Sequence, residues 1–278
     1  MRIGLVNRYS FTDNANDSIS GANGTVYNGS YEDATGTSGD PQKRQIFLNN
    51  STRITSNTAG VPYVDLPNGL VSTLGTQATF MAWFTWKETA TGNTWQRVFD
   101  FGSSVGGENV SNGGNKYFIL TTRGGGNTPR FGYKNASNGE ERYLNAPASL
   151  TTSSGQQCFA ITWNEDTGRV EMYQNGKLVS AGDLHFTLSG MNDFNNWLGR
   201  AQFNDVGLWG SINEFRVYDQ ALSASTIAQA YQLGPDVLPP NPCVNQPTAD
   251  VNDDCVVDLD DLGQMAAQWL ECGLTTCP

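Results

Sequence analysis

Residues near the C-terminus have the types and the spacing to hold a metal ion. Between positions 250 and 261, oxygen-bearing side chains stand at positions 1, 3, 5, 9 and 12 of a twelve-residue loop. Calcium takes roughly six to eight hard oxygen ligands, and a loop with this spacing wraps around one ion. The predicted ligands are Asp250, Asn252, Asp254, the carbonyl of Val256, Asp258 and Asp261, with Asp258 acting directly or through water. The sequence therefore predicts calcium as a bound cofactor.

Two positions of this loop differ from the commonest calcium loop. Position 12 is Asp261 rather than Glu, and the shorter side chain reaches a bidentate contact less easily. Position 6 is Cys255, where glycine is usual because the backbone takes a positive φ, which costs a residue with a Cβ about 1 kcal/mol. A nearby disulfide would offset that strain.

The residues after the loop have the periodicity of a helix. Apolar side chains recur three and four positions apart, which places on one helix face Leu259, Leu262, Ala266, Trp269 and Leu270. A loop with Asp at position 12, followed by such a helix, resembles one of the two repeats of a dockerin. The resemblance implies docking onto a cohesin-like domain, although a dockerin has two repeats and this chain has one.

Four of the five cysteines lie within the last thirty-six residues: Cys243, Cys255, Cys272 and Cys277. An even number of cysteines in a module too small for its own core is typical of disulfides formed in an oxidising compartment. Three pairings are possible, and the spacing does not choose between them. A zinc site is the alternative, but neither CxxC pairs nor a nearby histidine support it. Cys158, alone in an apolar run, is predicted to be a small buried core residue.

Charge is distributed unevenly along the 278 residues. The formal net charge is −11, yet residues 236–278 hold eight acids and no Lys or Arg, whereas residues 1–235 hold nineteen acids and sixteen bases. A nucleic-acid-binding surface needs clustered Lys and Arg, so we expect no nucleic-acid partner. No stretch is long and apolar enough to predict a membrane span. The cysteines favour an extracellular or cell-surface location, although no secretion signal precedes the first strand.

The first 235 residues have the pattern of an all-β domain. Short apolar runs alternate with turns rich in Gly, Asn and Ser, which predicts a two-sheet sandwich. In residues 80–86 both alternating sets are apolar, so we expect a strand covered on both faces. Asn175-Gly176 predicts a hairpin turn, and residues 223–233 predict a helix closed by Gly234. A proline-rich linker over 236–249 separates this domain (1–235) from the calcium-binding repeat (250–278).

Several short motifs of the large domain occur in the order found in a known superfamily. They include Trp95-Gln96-Arg97-Val98-Phe99-Asp100-Phe101-Gly102, then Leu198-Gly199-Arg200, then the run from Gly210 to Ser223. Together they resemble the laminin-G-like domains of the concanavalin A-like lectin/glucanase superfamily. The resemblance implies a jelly-roll sandwich. It also implies a second calcium site at the sandwich edge, formed by Asp17, Asn23 and Asn213, where Asn213 stands in place of the family's usual Asp.

The sequence has no motif for catalysis. Glycosidases on this sandwich carry their carboxylates in a Glu-x-Asp-x-x-Glu run, which is missing here. Glu165-Asp166 and Glu140-Glu141 are interpreted as solvated charges in turns. The one histidine, His185, has no nucleophile or metal ligand beside it in the sequence. We therefore expect a protein that is not an enzyme.

Aromatic residues at turn edges favour a binding function instead. Sugars are recognised by aromatic faces stacked on the ring and by amide and carboxylate groups that bind the hydroxyls. The candidate ligand-binding residues are Trp95, Phe203, Asn204 and Trp209, with Trp197 as a further aromatic candidate. Three other tryptophans lie within apolar strands and are predicted to belong to the core: Trp83, Trp86 and Trp163.

Two functions are compatible with these patterns. In the first, the chain is a secreted, non-enzymatic carbohydrate-binding or adhesion module with a calcium-dependent docking repeat, and its partner is a glycan or an extracellular protein. In the second, it is a structural subunit of an extracellular assembly, in which the repeat of one copy docks on the next. Both rest on the same argument, because an apolar helix face with no second repeat to cover it needs another surface.

Overall fold

The chain folds mainly into two antiparallel β-sheets. The computed structural model describes residues 4–34, 44–87, 94–135, 139–238, 249, 257 and 259–268. In chain order the strands are β1 (Leu5–Tyr9), β2 (Thr25–Tyr27), β3 (Ser30–Asp33), β4 (Arg44–Leu48), β5 (Tyr63–Leu66), β6 (Gln77–Trp86), β7 (Arg97–Ser104), β8 (Gly114–Thr121), β9 (Arg130–Lys134), β10 (Arg142–Asn145), β11 (Gln156–Asn164), β12 (Arg169–Gln174), β13 (Lys177–Asp183), β14 (Asn195–Leu198) and β15 (Gly210–Tyr218). The helices are α1 (Ala224–Leu233) and α2 (Leu259–Gln268).

The strands divide into a sheet of eight and a sheet of seven among the described residues. The eight-stranded sheet has the order β13-β12-β11-β6-β15-β4-β3, with β1 also paired to β15. The seven-stranded sheet has the order β10-β9-β8-β7-β14-β5-β2. Hairpin neighbours such as β8 and β9 alternate with pairs that are far apart in the sequence, such as β6 with β15 and β7 with β14, which is typical of a jelly roll. The predicted all-β, two-sheet sandwich is confirmed.

Aromatic side chains fill the space between the sheets. Phe80 of β6 lies 6.0 Å, centroid to centroid, from both Phe101 of β7 and Phe118 of β8. Phe99 lies 5.8 Å from Phe215 of β15. Large rings bury much apolar area each, so this layer supplies much of the hydrophobic stabilisation of the sandwich.

Strand β6 is covered on both faces, as its two apolar sets predicted. Phe80 and Phe84 point into the layer between the sheets, whereas Met81 and Trp83 point to the outer face of the eight-stranded sheet. There they pack in the cluster that includes Ile227 and Ala230 of α1, and also Cys158. Trp83, Trp86 and Trp163 are all buried, and so is Cys158, as the sequence predicted.

The predicted hairpin and helix are both present. Asn175 and Gly176 have φ angles of 51° and 76° and join β12 to β13, as a turn with two positive φ values requires. Helix α1 begins after Ser223, whose side chain accepts a hydrogen bond from the backbone N–H of Thr226, and it ends at Gly234 with φ of 80°.

A buried charge cluster holds the segment that follows α1. Glu214 accepts hydrogen bonds from Nε and Nη2 of Arg8, both at 2.9 Å, and from Nε of Arg216. The backbone N–H of Asp236 donates to Glu214 at 2.7 Å, and Nη2 of Arg216 donates to the carbonyl of Val237 at 2.9 Å. Glu214 and Arg216 therefore fix residues 236 and 237 to strand β15 of the sandwich.

The described residues belong to two compact units. The sandwich, residues 4–238, is one of them, and α2 belongs to the other. Helix α2 covers the described part of the stretch in which the spacing predicted a helix, whereas Trp269 and Leu270 of the predicted apolar face lie outside the described residues. Three large apolar side chains of α2 are exposed: Leu259 (79%), Leu262 (54%) and Met265 (46%).

Candidate functional site: an aromatic cleft on the seven-stranded sheet

A small cleft lies on the outer face of the seven-stranded sheet, over β7 and β8. Its described lining consists of Trp95, Arg97, Ile119, Glu141, Phe203 and Asp205, and we call it the Trp95 cleft. Ile119 faces outward because its neighbours in β8, Phe118 and Leu120, belong to the core. The cleft has a volume of about 240 Å³. This is smaller than the roughly 300–1,000 Å³ of sites for drug-sized ligands, and is suited to a single small ring.

Arg97 is the central charged group of this cleft. Its Nε donates to Oδ2 of Asp100 at 3.2 Å and its Nη2 donates to Oδ2 of Asp205 at 2.8 Å. A further nitrogen donates to the carbonyl of Trp95. The guanidinium lies 5.6 Å from the ring centroid of Trp95 and 5.7 Å from that of Phe203. Two carboxylates and two rings thus hold a buried arginine in one orientation.

Asp100 lies directly beneath the cleft and is fully buried. It accepts hydrogen bonds from the backbone N–H of Gln202 at 3.0 Å and from Nε2 of the same residue at 2.9 Å. Burial raises the pKa of Asp100 to about 6, because it outweighs the attraction of Arg97 and the hydrogen bonds from Gln202. The carboxylate that anchors Arg97 is therefore charged at neutral pH and loses its charge in mild acid.

Glu141 supplies a second carboxylate at the rim. The hydroxyl of Tyr117 donates to its Oε2 at 2.5 Å, and Nη1 of Arg130 lies 3.8 Å from its Oε1. Burial, and then Glu141, raises the pKa of Tyr117, so its hydroxyl remains a donor. The Tyr117 ring packs edge-on against Phe203, with centroids 5.5 Å apart. The carboxylate is thereby oriented beside an aromatic ring, the combination that binds sugar hydroxyls and a sugar face.

The backbone of Trp95 has a conformation that bulky residues rarely adopt. Its φ is 71°, in the left-handed region. The conformation is held by its N–H, which donates to the carbonyl of Arg123 at 2.7 Å, while Arg130 lies 5.5 Å from the ring centroid. Such strain is concentrated at functional sites, where the surrounding structure imposes it.

The cleft brings together two of the predicted ligand-binding residues, Trp95 and Phe203. Asn204 is exposed beside Phe203, and Trp209 is half-buried. The backbone N–H of Trp209 donates to Oε1 of Gln96 at 3.0 Å. Neither Asn204 nor Trp209 lines the Trp95 cleft. The ligand-binding roles of these four residues stay predictions.

Three interpretations made from the sequence are wrong. Glu165 is not a freely solvated turn charge, because it accepts hydrogen bonds from the backbone N–H of Leu188 at 2.6 Å and from Nε1 of Trp163 at 3.3 Å. Trp197 is fully buried, with Arg200 at 4.0 Å from its ring centroid, so its ring cannot stack on a ligand. Glu141 is not a freely solvated turn charge, because Tyr117 donates to it and it lines the cleft. The sequence also gave no reason to select Arg97 as a site residue. Its one signal was a charge at the start of an apolar strand.

The residues of the predicted second calcium site already have other partners. Asp17 accepts hydrogen bonds from the side chain of Asn7 (2.9 Å), the backbone N–H of Arg8 (2.8 Å) and both donors of Ser20, and the backbone N–H groups of residues 19 and 22 also donate to it. The side-chain oxygen of Asn23 accepts from the backbone N–H of Asp17 at 3.0 Å. These N–H and O–H donors present positive hydrogens where a cation would need free oxygen, so Asp17 fits calcium poorly in this arrangement.

The third predicted residue of that site is at a bulge of β15. The register of β15 against β6 shifts between Ile212 and Glu214, which leaves Asn213 buried, with its side-chain oxygen without a hydrogen-bond partner. No hydrogen bond joins Asn213 to Asp17 or Asn23 among the described residues. Across those residues, no group of three or more His, Cys, Asp and Glu is arranged to hold a metal. The second site stays a prediction.

Most of the predicted C-terminal calcium site falls outside the described residues. The described residues do not include five of the predicted ligands, Asp250, Asn252, Asp254, Val256 and Asp258. They also do not include the four clustered cysteines, Cys243, Cys255, Cys272 and Cys277. Asp261 lies within α2. By chemistry the donor set suits calcium, because all its atoms are hard oxygens, but the loop and the disulfides remain predictions.

A comparison with protein families identifies the family of the sandwich domain. Residues 58–228 match the laminin G-type family described as the concanavalin A-like lectin/glucanases superfamily. The chain belongs to this family. The laminin G-type domain therefore has the jelly-roll architecture that its short motifs predicted. A search of curated proteins found no match.

Solved structures share the fold of this laminin G-type domain. Domain 4 of AbnA, a GH43 extracellular arabinanase from Geobacillus stearothermophilus solved with arabinotriose, is 21% identical with a TM-score of 0.61, over 82% of this chain and 98% of that one. The binding domain of botulinum neurotoxin serotype D/C is 16% identical with a TM-score of 0.58, over 82% and 52%. The CBM40 of the Ruminococcus gnavus IT-sialidase, bound to α2,3 sialyllactose, is 20% identical with a TM-score of 0.46, over 57% and 84%. At these identities the likeness establishes the fold alone. Across the described residues, no helix is long and apolar enough to cross a membrane.

Proposed function

We propose that this laminin G-type domain is a non-enzymatic carbohydrate-binding module and that it binds one sugar ring in the Trp95 cleft. The observation that carries the proposal is the combination of two half-buried rings, Trp95 and Phe203, with oriented polar groups on Arg97, Glu141 and Asp205. Aromatic faces and fixed hydrogen-bonding groups are what a sugar ring requires. The arabinanase domain that shares the fold was solved with a sugar bound, which supports the same function.

The cleft is better arranged for binding than for hydrolysis. Asp205 is bonded to Arg97, and Glu141 is bonded to Tyr117. A glycosidase needs one protonated and one free carboxylate on either side of a bond. Both carboxylates here have fixed donors, which suits hydrogen bonding to hydroxyls.

Glycan-array binding of the purified chain, followed by calorimetry with the best neutral glycan and with arabinotriose, tests the proposal. We expect Phe203→Ala to weaken binding at least about fivefold, because truncating a central aromatic contact costs about 1–3 kcal/mol. Tyr231→Ala is the matched control, since Tyr231 is an exposed aromatic residue on α1 and should leave affinity unchanged. Binding to no glycan, or equal losses in the two variants, would refute the proposal.

The C-terminal repeat adds a docking function to this proposal. In it, the loop 250–261 binds calcium and the exposed apolar face of α2 docks on a cohesin-like or other extracellular partner. Leu259 and Leu262 support this, because exposed apolar residues in a row on a helix are typical of an interaction surface. The module would then act outside the cell or at its surface, with its cysteines paired.

The same exposed face favours a second candidate function, a structural subunit in which α2 docks on a neighbouring copy. Light scattering of the full chain with calcium and with a chelator separates the candidates. A calcium-dependent growth in size supports assembly. An unchanged monomer that still binds glycans rules assembly out and leaves the binding module.

A further inference from the structure

A second, larger cleft lies beside β2 and β5 of the seven-stranded sheet. Its described lining encloses about 450 Å³ and includes Tyr27, Asn57, Tyr63, Asn109, Ser111 and Arg200; we call it the Tyr27 cleft. This volume lies within the roughly 300–1,000 Å³ typical of small-molecule sites. None of the ligand-binding residues predicted from the sequence belongs to its lining.

Among the described lining residues of the Tyr27 cleft, Arg200 alone is charged. It is 8% exposed, and its donors reach neutral groups: Nε donates to the hydroxyl of Ser111 at 3.1 Å and Nη2 to the carbonyl of Asn109 at 2.8 Å. Its guanidinium lies 4.7 Å from the ring centroid of Tyr63 and 4.0 Å from that of Trp197. None of these partners carries a negative charge.

Arg200 differs in this respect from the other two buried arginines of the described chain. Arg97 pairs with Asp100, and Arg216 pairs with Glu214. Arg200 has no carboxylate oxygen within 4.0 Å among the described residues. Asp65 interacts with it from a longer distance, and burial raises the pKa of Asp65 despite that attraction. A buried charge without a counter-ion is unfavourable, so an anion supplied by a ligand would complete the arrangement.

An aromatic platform adjoins this charge. Tyr27 is 42% exposed, and its ring stacks on Tyr63, with centroids 4.7 Å apart and an interplanar angle of 10°. Tyr63 in turn lies against Arg200. Around them, Asn57 and Asn109 add amide groups to the lining, and amides bind hydroxyls. The cleft therefore offers one ring face, several neutral hydrogen-bonding groups and one positive charge.

We propose that the Tyr27 cleft binds an acidic sugar, whose carboxylate pairs with Arg200 while its ring lies against Tyr27. A guanidinium matches the planar, two-oxygen geometry of a carboxylate. The inference rests on the proposed function, since it takes the domain to be a glycan binder, and it adds a second site with a different preference. The Trp95 cleft is lined by Glu141 and Asp205, which would repel a carboxylate.

Hydrogen bonds connect the linings of the two clefts. Ser56 lines the Tyr27 cleft and Asp205 lines the Trp95 cleft. The carbonyl of Asp205 accepts hydrogen bonds from the backbone N–H of Ser56 at 2.8 Å and from its hydroxyl at 3.1 Å. Thr55 and Val206 pair beside them as a β-bridge.

Calorimetric titration of the full chain with two matched pairs of probes tests this site. The pairs are trigalacturonate with its carboxyl-reduced form, and sialyllactose with lactose. We expect at least one acidic probe to bind about tenfold more tightly than its neutral partner, and this preference to shrink between ionic strengths of about 0.01 and 0.15 M. The pair that responds identifies the source of the carboxylate.

Variants assign the binding to the cleft. Tyr27→Ala is expected to weaken acidic-probe binding about tenfold, and Arg200→Gln to abolish the preference for the acidic probe. Because Arg200 is buried, its replacement can destabilise the fold, so thermal unfolding of Arg200→Gln is measured as well. Tyr27 is exposed, so the result for Tyr27→Ala does not depend on that measurement. Tyr231→Ala, on α1 and outside both linings, should leave binding of the acidic probes unaffected.

The outcomes separate this inference from the proposed function. A chain that binds neutral glycans through Phe203, but shows no preference for either acidic probe, overturns the Tyr27 site alone. Acidic-probe binding that is lost in Phe203→Ala and kept in Tyr27→Ala overturns it as well. Binding to no glycan of any kind overturns both proposals.

Discussion

Asp100 shows how a buried residue can orient the groups that line a cleft. It is buried below the Trp95 cleft, and it holds Arg97 through one oxygen while Gln202 donates to both. Arg97 in turn bonds to Asp205 and lies near two aromatic rings. The orientation of the exposed groups therefore depends on a carboxylate whose own ionisation is opposed by burial.

Asp100→Asn should change the pH dependence of stability. The folded pKa of about 6 lies above the ordinary value of 3.8, so between these values the folded protein keeps a proton that the unfolded chain has lost. The contribution of Asp100 to stability is thus largest at low pH and is lost as the pH rises through 6. We therefore expect wild type to lose up to about 3 kcal/mol of unfolding free energy, relative to Asp100→Asn, as the pH rises from about 4 to 7.

Urea denaturation at several pH values measures this difference. Phe203→Ala is the control, because it alters the cleft without removing Asp100 and should keep the wild-type profile. A difference between wild type and Asp100→Asn that is constant with pH would show that Asp100 is not perturbed in the folded protein.

Among the elements, β15 has two distinct roles. Phe215 and Val217 of β15 belong to the core between the sheets, while Glu214 and Arg216 form the charge cluster that holds residues 236 and 237. Burial raises the pKa of Glu214, but Arg216 and Arg8 together lower it by more, so this pKa lies below its usual range. The cluster is therefore ionised in the folded state across neutral pH.

Glu214→Gln should destabilise the sandwich by about 3–5 kcal/mol, because removing one member of a buried ion pair leaves the other charge uncompensated. Chemical denaturation measures the loss. Arg169→Gln is the control: it breaks the exposed 3.8 Å pair with Glu171 and should cost no more than about 0.5 kcal/mol. Equal effects of the two changes would mean that burial adds nothing to the Glu214 cluster.

Periodic elements were predictable from the sequence, and the cleft was only partly so. The two apolar sets of residues 80–86, the Asn175-Gly176 turn and the helix closed by Gly234 are local patterns with one physical solution each. Strand pairing and long loops bring Glu141 and Asp205 into the same cleft as Arg97. Neither leaves a local pattern in the sequence. The positive φ of Trp95 was equally hidden, because a bulky residue seldom takes that conformation.

At the scale of the whole molecule, the chain combines a sandwich with a separate C-terminal unit that contains α2. The sandwich has a large aromatic core of its own. The C-terminal unit includes a helix with exposed apolar residues, and its proposed stability comes from calcium and disulfides, which small modules commonly need.

Calcium binding should therefore be confined to the C-terminal loop. We expect calorimetry to give about one tight calcium per chain, and Asp254→Ala to abolish it, because a charged ligand at loop position 5 is lost. Asp17→Asn should leave the stoichiometry unchanged, since the Asp17 oxygens already accept hydrogen bonds from protein donors. A stoichiometry of two that falls to one in Asp17→Asn would restore the second site.

The hydrogen bonds between Ser56 and Asp205 have a consequence for the kind of glycan that this domain would select. Because they join one lining residue of each cleft, the two clefts adjoin at a short separation. One glycan chain that carries a neutral unit and an acidic unit at that separation would engage both, with the second contact formed at high effective concentration. Chains with another spacing would reach only one. The domain would then distinguish glycans by the distance between their charged and uncharged units as well as by the units themselves.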